Sequence, residues 1–132
     1  MIKISIIERH LQIRGKESEF TKVFAMFDSG SSYTLVRSSK LKDVIPYRIR
    51  NINIPIEVGN GQFIHLKKEA LMEIKMNNQV YTFFVKIIDE LPEEMIIGVD
   101  FLQRFGHTLE FKKDKVRAKS MNLKTHRGNY RL

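Results

Sequence analysis

The hydrophobic positions of this chain recur mostly with a period of two. Ile2, Ile4 and Ile6 share one face of an N-terminal segment, Ala70, Met72, Ile74 and Met76 share another, and Tyr81, Phe83, Val85 and Ile87 a third, the spacing of half-buried strands. Asn77-Asn78 stands between the last two runs with little else separating them, so residues 69–76 and 80–87 are expected to pair as a hairpin. Residues 48–57 are β-prone but contain Pro55, which lacks a ladder donor and suits an edge strand or a projecting ribbon. Gly59-Asn60-Gly61 follows, and residues 63–66 return as an extended run. Asn-Gly favours the primed turns that match strand twist, so a second hairpin is expected with its tip near Asn60. One segment looks helical: after Met95-Ile96-Ile97-Gly98, residues 99–105 place apolar groups at helical spacing and stop at Gly106, about two turns. Residues 107–111 are extended again, and 112–115 turn the chain into 116–118. The pattern predicts a mostly β protein with one short C-terminal helix.

At 132 residues the chain suits one domain and is too short for two ordinary ones. No apolar run reaches the length that crosses a bilayer, and the N-terminus lacks the basic start, apolar stretch and cleavage site of a secretion signal. Cysteine is absent, which removes disulfides, thiolate metal ligands and thiol nucleophiles together. A cytoplasmic protein without membrane association is expected. The net charge is +8, but it is unevenly spread. Residues 112–132 hold eight Lys or Arg against Asp114, a balance of +7, which leaves +1 for the rest. The body up to residue 111 is thus nearly neutral and the basic character belongs to the C-terminal end, where residues 119–132 read as a tail beyond a domain of residues 1–118. Such a tail is either solvated or able to hold nucleic acid through phosphate contacts.

Candidate chemistry centres on Asp28-Ser29-Gly30. Residues 20–27 become apolar on both faces toward their end and Tyr33-Thr34-Leu35-Val36 resumes an apolar run, so Asp28 lies at a strand-turn-strand junction entering the core. Two readings fit these residues alone. Asp-Ser-Gly is good turn chemistry, with the Asp capping backbone amides. A carboxylate held in such a turn is also a candidate acid or base.

Three segments fall in a particular order: the apolar strand into Asp28-Ser29-Gly30, the Gly59-Asn60-Gly61 hairpin tip, and Met95-Ile96-Ile97-Gly98 leading into a short helix. In this the chain resembles the retropepsins, the retroviral-type aspartic proteases, over about residues 1–118, most closely in 25–36, 59–76 and 95–111. The resemblance implies a closed, barrel-like β fold with a single lobe per chain. It further implies a homodimer in which each subunit supplies one Asp-Ser-Gly loop. Only one such loop occurs here, and a two-fold axis turns one carboxylate into two. The implied activity is that of an aspartic endopeptidase. The Asp28 pair would activate a water to cut peptide or unfolded protein substrates, with no metal or other cofactor. Ser29 and Gly30 would support the paired loops. Gly59, Asn60 and Gly61 would form the tip of a flap over the substrate, and Met26, Leu35 and Ile96 would wall pockets for apolar side chains. Those three residues suit ordinary core packing equally well.

The chain departs from the family at several points. Asn60 occupies a flap tip where retroviral members usually carry an apolar residue. Those members also pair an acidic residue at the position of Ser32 with an arginine at that of Val99, and neither is present here. The joint loss points to a replaced support. Retroviral members end near the position of Phe111, whereas 21 residues follow it here, so the dimer sheet is expected to be built differently. His10, His65, His107 and His126 show no metal-ligand spacing. The competing function is a non-catalytic dimeric module that grips extended peptide in the same cleft, with or without nucleic acid on its tail.

Overall fold

The computed structural model describes residues 6–57, 61–112 and 115–120, with side chains for 8–57 and 61–106. Its strands are β1 (Ile6–Arg14), β2 (Thr21–Asp28), β3 (Leu35–Arg37), β4 (Arg48–Glu57), β5 (Phe63–Met76), β6 (Gln79–Ile88), β7 (Met95–Ile97), β8 (His107–Lys112) and β9 (Lys115–Ser120). Helix α1 spans Val99–Arg104.

The expected hairpin of β5 and β6 pairs in register from Glu69↔Lys86 to Met76↔Gln79. Its turn residues Asn77 and Asn78 both adopt positive φ, 52° and 64°, a conformation asparagine tolerates better than most residues. The Pro55 strand is β4, at the sheet edge as expected. Its ladder with β5 runs to Glu57↔Phe63, with an irregularity between Asn51 and Ile54. Of the expected flap tip, Gly59 and Asn60 lie outside the described residues, and Gly61 adopts φ +80° with open space where a side chain would be. Helix α1 closes at Gly106, which adopts φ +66°. The short apolar spacing that marks α1 is not the sole source of helical turns, however. Ser38–Asp43 forms a 3-10 turn whose buried residue is Leu41, a single apolar anchor that leaves no periodicity to read. The expected Ile2 and Ile4 positions, the 112–115 turn at residues 113 and 114, and the basic tail beyond Ser120 lie outside the described residues.

Seven strands form one sheet in the order β1-β2-β7-β3-β6-β5-β4. An additional pairing, Gln12↔Lys75 to Arg14↔Glu73 between β1 and β5, closes six of them into a ring, and β4 stays outside it. β8 and β9 pair separately. The closed, mostly β architecture with one short helix is the one the sequence predicts.

Alternation decides what the ring encloses. Ala70, Met72, Ile74 and Met76 are buried together with Val23, Ala25, Phe27, Val36, Met95, Ile97 and Phe101, and each such side chain contributes about 1.5–3 kcal/mol of apolar burial. α1 seals one end. Phe101 and Phe105 meet Tyr81 and Phe83 with ring centroids 4.8–5.9 Å apart, mostly edge-on, the arrangement aromatic quadrupoles favour. No helix among the described residues is long and apolar enough to cross a membrane.

Candidate active site

Asp28 is the last residue of β2, a strand bonded on both sides, to β1 (Ile6↔Asp28) and in parallel to β7 (Phe27↔Ile97). Placing the carboxylate at the end of a doubly paired strand fixes its backbone. The chain then turns: the Ser31 N–H donates to the Asp28 carbonyl at 3.0 Å, and the Gly30 N–H donates to Asp28 Oδ1 at 2.8 Å. The side chain orders the turn, as the turn reading expects, and stays half-exposed. Ser29 is 3% exposed, a hydroxyl carried into the interior beside the carboxylate.

A second segment clamps this turn. The Val99 N–H donates to the Ser31 carbonyl at 2.8 Å, and Gly98 lies so close that a Cβ there would meet the Tyr33 carbonyl oxygen at 2.5 Å and that of Ser31 at 2.8 Å. Only glycine fits at such an approach. Thr34, fully buried, is the hub. Its Oγ1 donates to Asp100 Oδ1 at 2.7 Å and accepts the Gly98 N–H at 3.0 Å, and its backbone N–H donates to Asp100 Oδ2 at 3.1 Å. A carboxylate bridging a backbone amide and a hydroxyl is a charge-assisted clamp. Val99 is buried as an apolar residue, and Asp100, one position on, holds the loop. Thr34 and Asp100 were not among the candidate residues. Their signals in the sequence were a threonine inside an otherwise apolar run and an acid in the first turn of α1.

The three expected pocket residues come together. Met26 pairs with Ile96 and Leu35 with Ile96 across β2, β7 and β3, on the face opposite the ring's interior. There they form a second apolar cluster with Leu66, Leu91, Ile88 and Tyr33, joined by Ile52, Ile54 and Ile56 of β4. The β4–β5 stem thus lies over the same apolar floor that begins beside Asp28. A surface groove of about 610 Å³ shares Leu66 and Ile88 with this cluster, and another of about 560 Å³ lies near Arg14 and Glu73. Neither includes Asp28 among its lining residues.

Among solved structures, the chain is similar to "EIAV protease complexed with the inhibitor HBY-793", with a TM-score of 0.62 at 16% identity over 81% of this chain and 94% of that one. The fold is retropepsin-like. The retroviral protease-like domain of Ddi1 from Leishmania major is also similar, with a TM-score of 0.55 at 14% identity, covering 89% of this chain and 90% of that one. No protein-family model and no curated protein matches the sequence. In this retropepsin-like frame the 98–100 clamp meets the segment after Asp28 at Ser31, Tyr33 and Thr34, and the β4–β5 stem packs on the apolar cluster of Met26, Leu35 and Ile96.

Proposed function

We propose that this chain is an aspartic endopeptidase that works as a homodimer, each subunit supplying one Asp28-Ser29-Gly30 loop. The observation that carries the reading is a half-exposed carboxylate at the end of a buried strand, its turn clamped by Asp100 through Thr34 and bordered by the apolar cluster of Met26, Leu35 and Ile96. A structural turn alone calls for no such clamp on the following loop, whereas a catalytic group has to be held within about half an ångström of its working position.

Two carboxylates brought into contact across a two-fold axis hold one proton between them. The ionised Asp28 takes a proton from a water as the water oxygen bonds to the scissile carbonyl carbon. The protonated Asp28 of the partner subunit donates a hydrogen bond to the carbonyl oxygen. Breaking the C–N bond then sends a proton to the departing amine, and the pair is left with one proton again. Ser29 supports the loop through its hydroxyl and Gly30 permits close approach of its twin. The 59–61 turn closes over the bound peptide and excludes water, while Met26, Leu35 and Ile96 receive apolar side chains flanking the cut bond.

The test is digestion of an unfolded protein at mildly acidic and neutral pH by the wild type and by Asp28→Asn, with solution mass followed over the same dilution series. Asn keeps an oxygen for the Gly30 N–H, so the fold is retained while cutting is lost. Specific activity falls as the dimer dissociates. Cutting by Asp28→Asn, or by a particle of monomer mass, defeats the reading. Peptide binding with no cutting at any pH replaces it with a binding module.

A further inference from the structure

The strand register continues the apolar row beyond the pockets. Met26, Ile96 and Leu35 are joined through Leu35↔Lys86, Lys86↔Glu69 and Glu69↔Arg50, one residue from each of β2, β7, β3, β6, β5 and β4. Its far end is charged. Glu69 has a side chain only 3% exposed, and its carboxylate accepts from Lys86 Nζ at 3.1 Å and from Arg50, whose Nε lies at 2.6 Å and whose Nη2 is also bonded. Lys86 is 13% exposed, with its ammonium 5.5 Å from the Tyr33 ring centroid. Arg50 is 58% exposed and stacks on Phe84 at 3.8 Å. One carboxylate serves two cations, so the trio keeps one positive charge, and the stacked, forked guanidinium is the member open to solvent.

We infer that this trio is an outer subsite that selects an acidic side chain on the bound peptide, with Arg50 as the specificity-determining residue. The inference rests on the cleft assigned above and names the substrate class it favours: apolar at the cut, acidic farther along. Glu69 acts as a positioning residue, fixing the guanidinium plane so that its outer edge meets a carboxylate. Strands lie about 4.8 Å apart, so Lys86 is about 5 Å and Arg50 about 14 Å from Leu35 along the row. At about 3.3 Å per residue of extended peptide, the acid falls about two to four residues from the side chain seated against Leu35.

Binding is measured with Asp28→Asn, so that peptides stay intact. Fluorescence anisotropy is read for peptides with one apolar core and Glu, Gln or Lys at each position two to five residues away. At one or two adjacent positions Glu binds about five- to tenfold tighter than Gln, and Lys weaker than Gln. The Glu-to-Gln ratio shrinks as salt rises, falls to about one in Arg50→Met, and is partly kept in Arg50→Lys, with folding checked by circular dichroism. Equal binding of Glu and Gln peptides at every position overturns the inference, as does a ratio that survives Arg50→Met or a failure of all the peptides to bind. Selection for Glu by a wild type that cuts nothing would leave the subsite standing and remove only the proteolysis.

Discussion

Thr34→Val isolates the clamp under the candidate active site, because valine matches threonine in shape and removes only the hydroxyl. The residue is fully buried, so no water replaces what is lost. The Asp100 carboxylate forfeits its 2.7 Å donor and the buried Gly98 N–H forfeits its 3.0 Å acceptor. A hydrogen bond to a charged group contributes about 1.5–3 kcal/mol and an unsatisfied buried amide costs about 1–3 kcal/mol. Together these give about 3–5 kcal/mol, a large part of the roughly 5–15 kcal/mol that holds such a domain. Each kcal/mol shifts the melting midpoint of a chain this size by about 3–5 °C, so a fall of roughly 10–20 °C is expected by circular dichroism, with a matching loss in urea. Thr34→Ser keeps the hydroxyl and gives up one methyl, about 1 kcal/mol. If valine and serine prove equally stable, or if valine stays within about 0.5 kcal/mol of the wild type, the hydroxyl is not the hub and the clamp argument fails.

Other perturbations are as definite. Gly98→Ala drives a Cβ to 2.5 Å from the Tyr33 carbonyl oxygen, backbone that cannot swing aside, so a loss of about 3 kcal/mol or more is expected, and a melting point like the wild type's would refute the close approach. Glu69→Ala strands the buried Lys86 without its carboxylate and costs about 3 kcal/mol or more, whereas replacing Glu69 and Lys86 together by methionine is close to neutral in denaturant titrations; equal losses in the two variants would count against the buried pair. Burial pushes the Tyr81 hydroxyl above its ordinary value. The unfolded chain therefore loses that proton first, and stability present below about pH 10 declines as pH rises through the folded value. Tyr81→Phe should flatten that decline in alkaline melting curves, and an unchanged slope would assign it elsewhere.

The strands were legible because alternation records which face is buried. Ala70, Met72, Ile74 and Met76 advertise the ring's interior one residue in two, and Asn77-Asn78 marks a turn that needs positive φ. The pocket role proposed for Met26, Leu35 and Ile96 comes only by likeness, since the structure shows that they share an apolar cluster and not what that cluster receives. What alternation cannot encode is which strands meet. Ring closure by Ile13↔Ile74 joins residues 61 positions apart, and nothing in either strand names the other. The Asp100–Thr34 clamp was hidden for the same reason, with 66 positions between its halves. Glu69 read as one more polar residue of an alternating strand. Its burial arises from Arg50 and Lys86 arriving on either side in register.

That 66-residue span has a bearing on synthesis. Parallel pairing of β2 with β7 and of β3 with β6 makes the loop around Asp28 depend on segments translated much later, and distant pairings close slowly. A ribosome that has extruded Asp28 has yet to make Gly98 and Asp100, so the nascent chain carries an unbraced acid until about three-quarters of these 132 residues have emerged. The order of the Asp28 turn is therefore acquired late in synthesis, only once both of its bracing segments exist.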